Sequence, residues 1–234
     1  AAEEAARKAV ELRPDLAEGH SARGSVLALQ SRSEEAEAEF TRAIELDPGL
    51  WEAHYFFARD RFQHGEFDRA ARHFDRATEI RGDADSAFFG AQSYEALGDS
   101  RRARIAYANA AAAATRRMEL NPDDARTATI LSVALCRTGE PEAGLEWARQ
   151  ALVIDAEDAG ILYNVACLYA VEGLPEEALE CLRTAIRRGF GNMEWFDRDP
   201  DLDSLRGDPR FQALMDEGYA RRAGRGGGEA PRGP

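Results

Sequence analysis

Lysine is almost missing from this chain: Lys8 is the only one, and the other strongly basic side chains are all arginine. Bases are also outnumbered, 30 against 43 acids, for a net charge of −13. Such a surface repels phosphate backbones, which argues against nucleic acid as a primary partner and favours a protein or peptide that is neutral to basic, or apolar. Cysteine is scarce. Cys136, Cys167 and Cys181 are odd in number and show no metal-ligand spacing, so they read as small helix-packing residues in a reducing, cytoplasmic setting. No apolar run approaches the ~18–20 residues that cross a bilayer, so membrane insertion by this chain is not expected. The opening AAEEAARKAVEL is charged and amphipathic, unlike a signal peptide. HExxH, Cys-x-x-Cys, GxSxG and GxxxxGK[ST] are all absent. His64 and His73, with Asp68 between them, read as solvated helix-end residues. GRGGGE near the C-terminus follows no strand and opens no helix, so it fails the context of a phosphate loop. No cofactor, metal site or catalytic residue is expected, and the chain does not read as an enzyme, although a catalytic domain upstream in a parent chain is compatible with it.

What the sequence has in quantity is small residues at a fixed interval. Ala9, Ala43, Ala77, Ala110, Ala151 and Ala185 are spaced by 34, 34, 33, 41 and 34 residues. Ala36, Ala70, Ala103, Gly144 and Ala178 keep the same intervals, and so does a bulkier series, Phe40, Phe74, Tyr107, Ala148 and Leu182. Three series that share one irregular spacing mark an internal repeat. Each unit reads as two helices. The first ends near a glycine (Gly65, Gly98, Gly139, Gly173), which suits the left-handed closing conformation. Pro141 and Pro175 suit the first turn of the second helix, where a missing N–H costs nothing. Stops such as IELDP and MELNP end it, because the residue before proline disfavours helical geometry.

This pattern resembles the tetratricopeptide repeat. With Ala17, Trp51, Ala84, Ala125 and Ala159 as first residues of units, the small eighth residue is Gly24, Ala58, Ala91, Ser132 and Ala166. The aromatic eleventh is matched by Tyr94 and Tyr169, replaced by Leu27 and Leu135, and violated by Arg61; Ser31 stands where the fifteenth residue is otherwise glycine. The resemblance implies an all-α fold, a right-handed α-solenoid (superhelix) of helical hairpins with a C-terminal helical cap. The expected division is 1–16, the second helix of a truncated unit; units at 17–50, 51–83, 84–124, 125–158 and 159–192; a capping segment at 193–222; and a disordered tail at 223–234. Unit 84–124 carries seven extra residues, about two helical turns, which keep the stripe Ala103, Tyr107, Ala110, Ala114, Met118 in register. Residue 1 falls inside the second helix of a unit, so the array is expected to continue upstream in a parent protein. Phe190, Trp195, Phe196, Leu202, Leu205, Phe211 and Leu214 are expected to cover the last hairpin, with Asp208 and Pro209 starting a final helix. The stretch DPDLDSLRGDPRF is similar to the closing segment of arrays in bacterial multidomain signalling proteins, where a Ser/Thr kinase, nucleotide cyclase or winged-helix domain lies upstream.

The resemblance also implies a function: a protein–protein interaction scaffold that binds a partner segment in a groove lined by first helices, as a sensory or regulatory arm, with self-association as the alternative. In the family, the second, fifth, sixth, ninth and twelfth residues of a unit point into that groove. The candidate peptide-binding residues are therefore Tyr55, Phe56, Arg59, Phe88, Phe89, Gln92, Tyr163 and Asn164. The Lys/Asn clamp with which heat-shock co-chaperones hold an acidic tail is not carried by any run of three units; only Asn164 matches it.

Overall fold

The computed structural model describes residues 2–190 and 193–224. Among them are thirteen α-helices, one 3-10 helix and no strand. The chain divides into two compact units, Ala1–Arg116 and Arg117–Pro234.

The first unit opens with α1 (Ala2–Leu12) and continues through the hairpin α2 (Ala17–Leu29) and α3 (Ser33–Leu46) and the hairpin α4 (Trp51–Gln63) and α5 (Phe67–Arg81). Then come α6 (Ala84–Ala96) and α7 (Ser100–Leu120), which crosses the division. Turns of two or three residues join the helices of each hairpin, and α2 packs on α4, α4 on α6 and α5 on α6. The periodic residues explain the stacking. Ala36, Phe40, Ala43, Ala70, Phe74, Ala77 and Ala110 are fully buried, and Tyr107 nearly so. A methyl side chain lets two helix backbones approach, and the ring one turn away fills the space left beside them. Gly24 shows how tight this is: a β-carbon there would lie 2.8 Å from the Phe40 ring. The turn between α2 and α3 needs a left-handed residue, and Ser31 adopts φ 61° where the other hairpins use glycine. All seven additional residues of the long unit are helical: α7 has 21 residues against 14 in α3, and its stripe Ala103, Tyr107, Ala110, Ala114, Met118 is buried.

The second unit holds the hairpin α8 (Ala125–Thr138) and α9 (Pro141–Ile154), the hairpin α10 (Ala159–Val171) and α11 (Pro175–Arg188), and the closing segment. Asp124 and Asp158 cap α8 and α10 by accepting backbone N–H bonds. Ala148, Ala151, Ala178, Leu182 and Ala185 are fully buried. The closing segment consists of α12 (Met193–Arg198), the 3-10 helix Pro200–Leu205 and α13 (Pro209–Gly224). The 3-10 helix packs on α10, and α13 packs on α11 and α12. Met193, Phe196, Leu202, Leu205, Phe211 and Leu214 are buried, but Trp195 is not: it is 47% exposed and does not cover the hairpin as the sequence suggested, because Phe196 is the ring that α12 turns inward. The last helix runs to Gly224, two residues into the stretch expected to be a disordered tail; residues 225–234 of that tail lie outside the described residues.

Candidate peptide-binding face

The face of the first unit built by α4 and α6 carries an aromatic ladder. It begins at Trp51, the first residue of α4, where other units have alanine. The indole stacks on Tyr55 with ring centroids 4.6 Å apart, and its Nε1 donates to Asp83 Oδ2 at 2.8 Å and to Ser86 Oγ at 3.1 Å. Asp83 also caps α6 by accepting from Ser86 N–H at 2.9 Å, so one carboxylate fixes both the helix start and the indole. The Arg81 guanidinium lies 4.4 Å from the Trp51 ring centroid. Beyond Tyr55, Arg59 donates to the Tyr55 hydroxyl at 3.2 Å and lies 4.7 Å from the centroid of Phe89. Phe89 in turn stacks on Phe74 at 5.7 Å and meets Phe62 and Phe88 edge to face. Phe88 reaches Tyr107 of α7. Phe56 stands outermost, 39% exposed, packed edge-on against Trp51 and Tyr55.

The eight residues singled out from the sequence therefore have different fates. Tyr55 is buried and acts as a floor; Phe56 is exposed; Arg59, Phe88, Phe89 and Gln92 are half-buried. The first five of these, Gln92 apart, are linked by ring, cation–ring and hydrogen-bond contacts, and Gln92 lies one helical turn beyond Phe88 on α6. Tyr163 belongs to the second unit and is 3% exposed, stacked on Phe190 at 4.6 Å, against Phe196 at 5.0 Å, and bonded to Asp199 Oδ2 at 2.5 Å. The closing segment occupies the space in front of it, so Tyr163 offers a partner no surface. Asn164 beside it is exposed. Trp51 and Arg81 were not anticipated. The available signal was a tryptophan at a position that is alanine in the other four units.

Polar clusters elsewhere in the first unit are structural. Arg61, standing at the aromatic position, is 4% exposed and bonds Asp60 at 2.5 Å, Glu37 at 2.9 Å and Glu66 at 2.7 Å, with Ser33 also in contact. Its guanidinium covers the Phe57 ring at 5.6 Å, so it partly replaces the missing aromatic by stacking. His54 and His73 face each other through Nδ1 atoms 3.1 Å apart, and His54 Nε2 faces the Pro48 carbonyl at 3.2 Å. The carbonyl can only accept, so His54 carries its proton on Nε2 and His73 donates from Nδ1. Burial lowers both pKa values, that of His73 to about 4, with His54 and nearby arginines adding to the effect. Burial also pushes the thiols of Cys136 and Cys181 up to about 12 and about 11, and that of Cys167 well above its ordinary value. Each is a thiol at neutral pH and a poor nucleophile. Among the described residues no group of three or more His, Cys, Asp or Glu is placed to hold a metal ion, and no helix is long and apolar enough to cross a membrane.

A family model described as tetratricopeptide repeat matches residues 1–50 and 90–159, just over half the chain. The chain belongs to the tetratricopeptide repeat family. Solved structures agree on the fold. The TPR protein YrrB, described as having an unusual peptide-binding site, is 23% identical with a TM-score of 0.55, over 84% of this chain and 98% of that one. TTC0263, a thermophilic TPR protein of Thermus thermophilus, is 21% identical with a TM-score of 0.59, over 81% and 98%. PilF of Pseudomonas aeruginosa is 16% identical with a TM-score of 0.57, over 88% and 99%. Tetratricopeptide repeat proteins are generally protein-interaction scaffolds, and the fold is typically non-catalytic. The stretch 51–89, which the family model leaves unmatched, still folds as the α4–α5 hairpin and the start of α6. It holds Trp51, where the other units have alanine, Arg61, at the aromatic eleventh position, and most of the aromatic ladder.

Proposed function

We propose that this array binds a segment of a partner protein on the α4–α6 face, with Phe56, Phe88, Arg59 and Gln92 as the contacting side chains and Tyr55, Trp51 and Phe89 as the floor. The observation that supports it is Phe56. A phenylalanine 39% exposed is held edge-on by two rings that are themselves fixed, Trp51 by Asp83 and Tyr55 by Arg59. A rigid exposed ring offers contact area at low entropic cost, which is how interface hot spots are built. The DPDLDSLRGDPRF ending supports a second part of the reading, that the array is the regulatory arm of a larger bacterial signalling protein in the cytoplasm. Asn164 is exposed on the second unit and is a further candidate contact there.

Selection of a displayed random decapeptide library on the purified chain tests the face. Phe56→Asp, which changes an exposed side chain, should enrich none of the peptides that the native chain enriches while its helical circular dichroism stays the same. Identical enrichment by the folded variant would remove the face from consideration. Sedimentation across a concentration series tests the alternative role in self-association, which a stable dimer of the chain alone would favour.

A further inference from the structure

We infer that the partner segment carries an acidic side chain, Asp or Glu, and that Arg59 is the residue that receives it; the inference rests on the α4–α6 face being the binding face. Arginines in this chain are engaged by acids almost wherever the charge balance allows. Arg61 and Arg69 share Glu37 and Glu66, Arg23 takes Glu39, and Arg72, Arg76 and Arg102 each take a carboxylate on their own helix or its cap. With 43 acids against 30 bases, an arginine without one is the exception. Two such exceptions flank the aromatic ladder. Arg59 is held by the Tyr55 hydroxyl and the Phe89 ring, and Arg81 by the Trp51 ring; no carboxylate lies within ion-pair distance of either among the described residues.

The nearby acids are committed elsewhere. Asp60, next in sequence to Arg59, points the other way, into the Arg61 network, and its side chain is 1% exposed. Asp83 receives the Trp51 indole and caps α6. Glu52 lies seven residues before Arg59 on α4 and forms no pair with it. The guanidinium of Arg59 has five N–H donors, of which the Tyr55 hydroxyl takes one. With its Cζ 4.7 Å from the Phe89 centroid the group is held in place, and the donors that Tyr55 does not take are enough for a carboxylate bound through two parallel bonds.

The net charge of −13 argued for a neutral, basic or apolar partner. That argument holds for approach from a distance. Within a Debye length of about 8–10 Å individual groups count, and the guanidinium at the centre of the ladder, Arg59, is held by a hydroxyl and a ring and not by a carboxylate. The face therefore selects a segment in which an acidic residue is flanked by apolar ones, the acid on Arg59 and the apolar neighbours against Phe56 and Phe88.

The random-decapeptide selection, repeated with Arg59→Met, decides this. The native chain should enrich Asp and Glu at one position by about threefold or more over the input, and Arg59→Met should retain the apolar pattern and lose the acidic one. In the best peptide, changing that acid to its amide should weaken binding by about tenfold for the native chain and leave Arg59→Met unaffected. Arg59→Lys, which keeps the charge without the planar fork, should keep part of the preference, and Arg101→Met, at an exposed arginine on α7, should keep all of it. Apolar peptides enriched equally by native and Arg59→Met chains, with no acid in register, would overturn the inference and leave the aromatic face standing. Enrichment of nothing beyond what Phe56→Asp enriches would overturn both.

Discussion

Replacing Gly144 by alanine sets two known magnitudes against each other. Gly144 lies on α9 at the position where the other hairpins have Ala36, Ala70, Ala103 and Ala178. Exposed in a helix, the exchange would stabilise by about 1 kcal/mol, because glycine loses more backbone entropy than alanine. Here a β-carbon would lie 2.6 Å from the Ser132 carbonyl oxygen and 3.1 Å from the Cys136 nitrogen, and closer still to Cys136 Sγ. The sulfur can rotate away. The carbonyl belongs to the α8 backbone and cannot move without separating the hairpin, so the cost belongs at the upper end of the range for overpacking, about 3 kcal/mol. The overlap wins by about 2 kcal/mol, a melting temperature lower by roughly 4–8 °C for a chain of this size. Calorimetry of native protein, Gly144→Ala and the double variant Gly144→Ala/Cys136→Ala would show it, with the double variant recovering only the share due to sulfur. Ala178→Gly, the reverse exchange at the same repeat position, should also destabilise, by roughly 1 kcal/mol. A Gly144→Ala protein that melts at or above the native temperature would refute the argument that backbone approach dictates glycine there.

Three further outcomes follow from the first unit. Ser31→Gly relieves a left-handed serine, worth about 1 kcal/mol, against a smaller opposing cost from the added entropy of the unfolded chain; a net gain of roughly 0.5 kcal/mol should be seen in urea titrations, and a loss would mean the serine side chain contributes more than its conformation costs. Arg61→Met removes the cation from Asp60 and should cost about 3 kcal/mol or more, since an uncompensated buried carboxylate remains; a near-neutral result would show that Asp60 does not depend on it. His73 has its pKa depressed to about 4 by burial, so its unfolded form takes up a proton first. The stability this group contributes is complete above about pH 6.5 and is lost as pH falls toward 4, by on the order of 2 kcal/mol once partial exposure is allowed for. The pH dependence of the urea midpoint over that window should flatten in His73→Gln, with the Glu37 carboxyl held below the usual carboxylate range by its hydrogen bond from Arg69; an unchanged profile would remove His73 as its source.

The fold class was legible in the sequence because it rests on a period. Residues such as Ala43, Ala77, Ala110, Ala151 and Ala185 recur because two helix backbones must touch at that point in every hairpin, and all five are fully buried. The ladder was partly legible. Phe56 and Phe88 were reached from repeat positions that face the groove in the family, whereas Trp51 stands where the other four units have alanine, and no repeat rule foretells what a large ring does there. The local charge was hidden for a different reason. Whether an arginine is neutralised depends on which acids the fold brings near it, and a count of 43 against 30 says nothing of that. Trp195 failed because a closing segment has no period from which to read whether Trp195 or Phe196 is the inward ring of so short a helix.

Tyr55 and Tyr163 occupy the same place in their repeats and share a further trait, for each has its hydroxyl engaged and a ring stacked at 4.6 Å. What differs is the origin of the partners. Tyr163 is satisfied by Phe190, just after α11, and by Phe196 and Asp199 of the closing segment, and Asp199 also accepts the Asp201 N–H that starts the 3-10 helix. The closing segment thus seals the α10 face from both its apolar and its polar side. Tyr55 is satisfied by Trp51 and Arg59 from its own helix, so nothing needs to lie over it; Phe56 is exposed and Arg59 half-buried. The same repeat position is thus covered from within the chain at Tyr163, and at Tyr55 it is furnished by its own helix and left without a covering segment among the described residues, on the face where we propose that a partner binds.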